Sequence, residues 1–255
     1  MSSAGSTARI EFRQVTRRFK DLVAVRDVTL AVSDGEIVSL IGPSGCGKST
    51  LLNMGSGLYS SSEGEVLVDG ERVTGPNPHV AFMLQKDLLL PWRTIRENVE
   101  LGLQIRKMPV AGKSLALLKR FRLEGFENAY PHQLSGGMRQ RAALARTLAV
   151  GPSVLLMDEP FSALDAQTKM VLQQDLAQTL AEERSTALFI THDLVEAVAL
   201  SDRVLVMSAR PGTIVEEIKV DLPERSNPMA RRRLARMGEY QARLMELLHV
   251  EERTI

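Results

Sequence analysis

One cysteine, one tryptophan and an aromatic content of 4% mark what this 255-residue chain does largely without. The lone thiol, Cys46, excludes any intramolecular disulfide and favours a cytoplasmic setting. No run approaches the ~18 to 20 uninterrupted apolar residues that a helix needs to cross a bilayer, so any membrane role is expected to work through a partner. The opening Met1-Ser2-Ser3-Ala4-Gly5-Ser6-Thr7 lacks the basic start and apolar stretch of a secretory signal, and export is not expected. Net charge is nearly absent: 32 Lys and Arg against 31 Asp and Glu leave +1, with no broad basic field to gather nucleic acid. No internal repeat is visible, and the only low-complexity stretch is Ser-rich, at residues 59–62. What remains is 44% apolar and 25% charged, ordinary globular usage. The length suits one large α/β domain or a domain carrying an inserted subdomain.

Strand signals dominate the first third of the chain. Residues 10–15, 23–32 and 36–41 are rich in branched side chains, and the last of these runs into a Gly-rich turn followed by a helical pattern over 48–54. Residues 65–68 with Asp69-Gly70 predict a strand and tight turn in an antiparallel sheet. Between 94 and 150 strand signals nearly vanish and helical patterns take over, as at 113–121 and 138–149, which reads as an inserted helical subdomain. Strand runs at 154–157 and 187–190, separated by a long helical pattern over 166–182, predict a parallel sheet. Further strand runs at 203–207 and 213–220 flank Pro211-Gly212, and a C-terminal appendage begins near Leu222-Pro223.

Two motifs carry chemistry. Gly42-Pro43-Ser44-Gly45-Cys46-Gly47-Lys48-Ser49, followed by Thr50, fits the G-x-x-x-x-G-K-[ST] phosphate-binding pattern between a predicted strand and a predicted helix. Glycines let successive backbone N–H groups turn inward, and the helix N-terminus adds partial positive charge. Lys48 is expected to reach the β and γ phosphates of ATP, and Ser49 to offer Mg²⁺ a hard oxygen ligand. Val154-Leu155-Leu156-Met157-Asp158-Glu159 ends an apolar strand in two acids, at the strand end where open α/β sheets bind ligands. Asp158 would hold Mg²⁺ and Glu159 would polarise the attacking water. His192, in Thr191-His192-Asp193, would emerge at the same edge as a donor to the γ-phosphate, or serve the structure alone. Gln85 follows a strand candidate and could touch Mg²⁺ or the water. Cys46 is read either as a thiol made sensitive to modification by a cationic loop or as a small side chain tolerated there.

Leu134-Ser135-Gly136-Gly137-Met138-Arg139-Gln140-Arg141 then resembles the signature motif of the ABC transporter family. A serine and two glycines ahead of a helix make a second phosphate-binding surface. One monomer has no need of it, whereas a head-to-tail dimer does. The resemblance spans residues 10 to 220. It implies an α/β fold: a P-loop NTPase (RecA-like) parallel-sheet core with an antiparallel β subdomain and an inserted helical subdomain. The nucleotide-binding domain would occupy residues 1–220, the helical subdomain about 90–150, and a C-terminal helical extension 221–255. It implies an ATPase in which ATP and Mg²⁺ lie between the phosphate loop of one subunit and Ser135, Gly136 and Gly137 of the other. Gln85 then resembles the Q-loop glutamine, Asp158 and Glu159 the Walker B pair, Ser162-Ala163-Leu164-Asp165 the D-loop and His192 the switch histidine. Phe19 stands where an aromatic stacks on adenine, although tyrosine is more usual there; a core aromatic is the other reading.

Leu88-Leu89-Leu90-Pro91-Trp92, Tyr130-Pro131-His132-Gln133 and the C-terminal helix resemble bacterial importers of the nitrate, sulfonate and taurine type. The implied partners are a second ATP-binding subunit, transmembrane permease subunits and, indirectly, a solute-binding protein, at the cytoplasmic face of the membrane. Trp92 is open to two readings, a permease contact or buried packing. Arg231-Arg232-Arg233, followed by apolar residues at helical spacing, is also open: a helix folded onto the domain, or arginines attracted to anionic lipid. Two competing functions are a soluble ABC ATPase of DNA repair or translation and a small-molecule P-loop kinase. The first usually carries coiled-coil insertions or tandem domains, neither of which is seen here, and the second leaves the signature and His192 unexplained.

Overall fold

Strands buried along their whole length run through the centre of the molecule. β3 (Ile37–Ile41), β7 (Val154–Asp158) and β8 (Thr186–Ile190) have every residue buried, as expected of a sheet covered on both faces. The computed structural model describes residues 8–110, 112–162 and 164–252, so the first seven residues and Ala163 of the D-loop motif lie outside the described residues. The remaining core strands are β6 (Val80–Met83), β9 (Arg203–Met207) and β10 (Ile214–Lys219), in the order β10-β9-β3-β8-β7-β6. β3, β6, β7, β8 and β9 run parallel, but β10 pairs antiparallel with β9. That departs from an all-parallel core for a simple reason. Only residues 208–213 join β9 to β10, enough for a hairpin and too few for a parallel crossover.

A second sheet, wholly antiparallel, combines β1 (Ala8–Phe19), β2 (Leu22–Ser33), β4 (Glu63–Val68) and β5 (Glu71–Arg72) in the order β2-β1-β4-β5. Asp69 and Gly70 both take positive φ (51° and 81°), the tight turn read from the sequence. Ile10, Phe12, Val15, Val28, Leu30 and Val32 face a core shared with the central sheet and α1 (Lys48–Gly55).

α2 (Ile95–Ile105), α3 (Lys113–Arg120) and α4 (Gly136–Ala149) form the helical region. α2 opens on a capping box in which Thr94 and Glu97 satisfy each other's backbone N–H groups. Leu103, Leu118, Phe121, Leu144 and Leu148 pack in one cluster with Met83, Leu155, Met157 and Phe189 of the sheet. Helix α5 (Ala166–Glu182) starts at Asp165 and α6 (Leu194–Leu200) at Asp193, each carboxylate accepting from a backbone N–H three residues on. Ser135 caps α4 in the same way. Three motif residues therefore also define where their helices begin.

The C-terminal segment folds back as α7 (Pro228–Arg231) and α8 (Arg236–Glu252), with Met237 and Leu244 buried against Ile41, Val204 and Val206. The lipid reading of the arginine triplet fails at its first member. Arg231 is 2% exposed, and its guanidinium donates to the backbone carbonyls of Ala199, Ser201, Leu222 and Pro223. Arg232 donates to the Gln173 side chain, leaving Arg233 exposed.

Candidate functional site

The loop between β3 and α1 is held in a conformation that side chains would forbid. Gly47, at φ 109°, caps α1, and a Cβ there would lie 2.5 Å from Val25 Cγ1 and 2.8 Å from the Ala24 carbonyl oxygen. Gly42, at φ 156°, is pressed against β9, where a Cβ would meet the Met207 carbonyl oxygen at 2.8 Å. Lys48 Nζ donates to the carbonyls of Gly42 (2.7 Å) and Pro43 (2.8 Å), so the ammonium is tied across the loop. Cys46 is 1% exposed, with its side chain in the core and its Sγ 3.7 Å from Lys48 Nζ. Burial leaves that thiol out of reach of solvent reagents in this conformation, against the expected sensitivity.

Beside the loop opens a cleft of about 560 Å³, lined by Gly42, Ser44, Gly45, Gly47, Lys48, Ser49 and Thr50. Phe19, Leu22 and Ala24 from the antiparallel sheet, and Gln85, Glu159 and His192 from the ends of the central strands, also line it. Phe19 is half-buried at the end of β1, with Tyr59 edge-on at 5.6 Å and the Arg17 guanidinium 4.6 Å from its ring centre. Those contacts fix the ring at the mouth of the cleft and away from the cores.

Asp158 ends β7 buried. Burial pushes its carboxyl above the usual carboxylate range; the Ser49 hydroxyl pulls it back, the Glu159 charge adds to the rise and Lys48 opposes it. Glu159, the next residue, takes φ 48°, a left-handed conformation that costs a non-glycine residue energy and is held here by its N–H bond to the Ile190 carbonyl (3.1 Å). That turn aims its carboxylate sideways. Gln85 Nε2 donates to Glu159 Oε2 at 3.0 Å, and His192 Nδ1 stands 3.6 Å from the same oxygen. The ends of β6, β7 and β8 thus bring together three residues that lie far apart in sequence.

The donor set fits Mg²⁺. Ser49, Gln85 and Asp158 supply hydroxyl, amide and carboxylate oxygens, the hard ligands this cation takes. Among the described residues no group of three or more His, Cys, Asp or Glu could hold a metal, so such a cation would need phosphate oxygens to complete its shell.

Ser135, Gly136 and Gly137 are not part of this cleft. Ser135 and Gly136 are exposed at the start of α4, where a Cβ on Gly137 would meet Leu164 Cδ2 at 3.1 Å. The same helix reaches the segment after Gln85: Arg139 pairs with Asp87 (3.1 Å), and Arg146 donates to the carbonyls of Asp87 (2.6 Å) and Leu88 (2.7 Å). Sequence reasoning missed those arginines, because nothing in their spacing points 50 to 60 residues back; it also missed Leu22, Ala24 and Arg210 on the cleft wall. Trp92 is 71% exposed, which excludes the buried-packing reading.

A family model described as ABC transporter matches residues 25–162. An uncharacterized ABC transporter ATP-binding protein of Methanocaldococcus jannaschii is 49% identical over 203 residues, 78% of this chain and 76% of that one. The aliphatic sulfonates import ATP-binding protein SsuB of Bacillus cereus is 42% identical over 208 residues, 82% of this chain and 83% of that one. A solved structure, the dimeric post-hydrolysis state of the ATP-binding cassette MJ0796 bound to ADP and Pi, matches with a TM-score of 0.75 at 33% identity. The match covers 84% of this chain and 99% of that chain.

Proposed function

The chain belongs to the ABC transporter family as an ATP-hydrolysing subunit, and on that premise we propose that two copies close head-to-tail on two ATP molecules to drive a membrane permease. The observation that carries the reading is the separation of two segments that match phosphate-binding patterns. One lines the cleft at Lys48, and the other, with Ser135 and Gly136 exposed at the start of α4, lies outside that cleft, where it would close the cleft of a partner.

In that arrangement the backbone N–H groups of residues 44–49 and Lys48 hold the phosphate chain, and Phe19 stacks on the base. Mg²⁺, held by Ser49 and Asp158 with Gln85 nearby, would offset charge on the β and γ phosphates. Glu159 orients a water in line with the γ-phosphorus and takes its proton. His192, beside the same carboxylate, donates to the γ-phosphate oxygens as charge develops there. Residues 1–220 would serve as the motor and 221–255 as an extension, its described part packed on the motor through Met237 and Leu244.

The permease would meet the exposed apolar surface at Leu88, Trp92 and Ile105, next to a groove of about 280 Å³ lined by Phe82, Leu101 and Ile105. Among the described residues no helix is long and apolar enough to cross a membrane. Likeness to import ATP-binding proteins supports a peripheral place on the cytoplasmic face of the membrane. Likeness to the aliphatic sulfonates import protein SsuB supports import of a small anionic solute of the sulfonate class; a nitrate-like solute and delivery by an external solute-binding protein belong to the same reading. Glu159→Gln should abolish turnover and accumulate an ATP-bound dimer on size-exclusion chromatography, whereas Lys48→Ala should weaken nucleotide binding and leave a monomer. Full turnover in the Glu159→Gln protein would sink the mechanism. Affinity purification from gently solubilised membranes tests the transport part, and recovery of soluble partners alone would refute it.

A further inference from the structure

The cleft holds a second cation that the reading above leaves without a task. Arg210, in the segment joining β9 to β10, lines the cleft together with Lys48. Its Nη2 and Nε both donate to the Gly45 carbonyl oxygen, at 2.7 Å and 3.0 Å. Both bonds go to one neutral acceptor, and among the described residues no carboxylate pairs with this guanidinium. A guanidinium carries five N–H donors, so three remain.

The backbone beneath it is fixed. Gly212 donates to the Ala24 carbonyl (3.0 Å) and accepts from the Arg26 N–H (3.0 Å), which stitches the segment to β2. On its other side a Cβ at Gly212 would lie 2.1 Å from the Cys46 carbonyl oxygen, so the segment is wedged between β2 and the phosphate loop. The Ser208 hydroxyl bonds the Thr213 hydroxyl and backbone N–H (each 3.0 Å) and closes the loop on itself. An uncompensated, exposed guanidinium on a rigid base, beside Lys48 and a loop of the phosphate-binding pattern, offers a site for phosphate.

Position along the cleft decides which phosphate. The segment that carries Arg210 is hydrogen-bonded through Gly212 to Ala24 and Arg26 of β2, the strand that supplies Leu22 and Ala24 to the cleft. Gln85 and His192 instead gather about Glu159 at the ends of β6, β7 and β8. Resting on the assignment of this cleft to ATP, we propose that Arg210 is a further nucleotide-binding residue that grips, from the base side, the diphosphate common to ADP and ATP. Its planar fork suits two oxygens at once, which a lysine ammonium does not.

The test is calorimetric titration of the full-length chain with ADP and with ATP, each with Mg²⁺, comparing Arg210→Gln, Arg210→Lys and Lys48→Ala. Glutamine can still donate to the Gly45 carbonyl, so that variant removes the charge and keeps the latch. The expected result is a Kd about tenfold higher for both nucleotides in Arg210→Gln, with their ratio unchanged, a shallower dependence on salt and an intermediate effect in Arg210→Lys. Tenfold corresponds to about 1.4 kcal/mol at 25 °C. Unchanged affinity in Arg210→Gln overturns the proposal, and so does weakening of ATP alone. If Lys48→Ala is also without effect, the assignment of the cleft to nucleotide falls with it.

Discussion

Replacing Arg231 with methionine keeps most of the side-chain volume and removes every polar bond it makes. The guanidinium is 2% exposed and donates to the carbonyls of Leu222 at 2.6 Å, Ser201 at 2.8 Å, Pro223 at 2.9 Å and Ala199 at 3.4 Å. It joins the turn between α6 and β9 to the entry of the C-terminal segment. Orphaning a buried acceptor costs about 1–3 kcal/mol, and the shorter bonds leave three carbonyls stranded. Burial depresses the pKa of this arginine, which means that the charge itself sits there at a cost, and methionine removes that cost. Setting the relief, and some entry of water, against the lost bonds leaves a net destabilisation of about 3 kcal/mol. For a domain of this size that lowers Tm by about 6–12 °C. Urea unfolding followed by circular dichroism reads the effect, with the exposed Arg233→Ala as a control expected within ~0.5 kcal/mol of the parent. A midpoint for Arg231→Met as close to the parent as that control would refute the claim that these carbonyls depend on the guanidinium.

Burial holds the Asp158 carboxyl above its ordinary range, so the folded chain binds that proton more tightly than the unfolded chain. Its charge therefore lowers stability at neutral pH, and the deficit fades as pH falls through the raised folded value. Asp158→Asn should raise the unfolding midpoint of the nucleotide-free protein at pH 7, lose that gain toward acid and abolish hydrolysis; a lower midpoint at pH 7 contradicts this. Gly47→Ala places a Cβ 2.5 Å from Val25 Cγ1 and 2.8 Å from the Ala24 carbonyl oxygen at φ 109°, and should cost about 2 kcal/mol or more. It should also weaken nucleotide binding at least tenfold, and wild-type affinity by titration would show that the loop tolerates a side chain. Trp92→Ala, at a residue 71% exposed, should shift unfolding by less than ~0.5 kcal/mol yet reduce co-sedimentation with permease-bearing membranes. Undiminished co-sedimentation would remove Trp92 from the docking surface.

Most of the central sheet could be read from the chain because its strands are buried on both faces, and the sequence records that as uninterrupted runs such as Val154-Leu155-Leu156-Met157. The phosphate loop is legible for a related reason: its glycines are demanded by contacts as close as 2.5 Å. The direction of β10 was not legible, since its apolar pattern is the same in either sense and only the short link through Pro211-Gly212 hints at a hairpin. Arg231 and Trp92 were ambiguous because local pattern says nothing of what folds over a side chain. A run of three arginines resembles a solvated face until carbonyls up to 32 residues away converge on one of them. The contacts of Arg139 and Arg146 escaped notice on the same ground. Each depends on a meeting of α4 with the segment after Gln85 that is a property of the packed helices.

Behind the acidic and histidine side chains of the cleft lies a partly buried ion network that neither of them touches. Glu159 sits at the end of β7 and leads through Asp165 into α5, while His192 sits at the end of β8 and leads through Asp193 into α6. Lys169, on the first turn of α5, lies 2.8 Å from both the Asp193 and the Glu196 carboxylates. Gln173, one turn further on, donates to Glu196 at 3.0 Å and accepts from Arg232 of the C-terminal segment. Glu196 is 2% exposed, and its burial pushes its pKa up, so this network carries a desolvation cost that apolar packing would avoid. What it supplies is registry. Both carboxylates meet the one ammonium, and Asp193 is also the N-cap of α6, so the contact to Lys169 sits at the start of the helix next to His192. A hydrophobic contact would hold the two helices together as strongly while allowing them to slide. Three directional bonds at 2.8–3.0 Å resist that sliding. Disrupting them with Lys169→Met should lower ATP turnover more than it lowers the unfolding midpoint; unchanged turnover would separate the network from the His192 to Glu159 spacing of 3.6 Å.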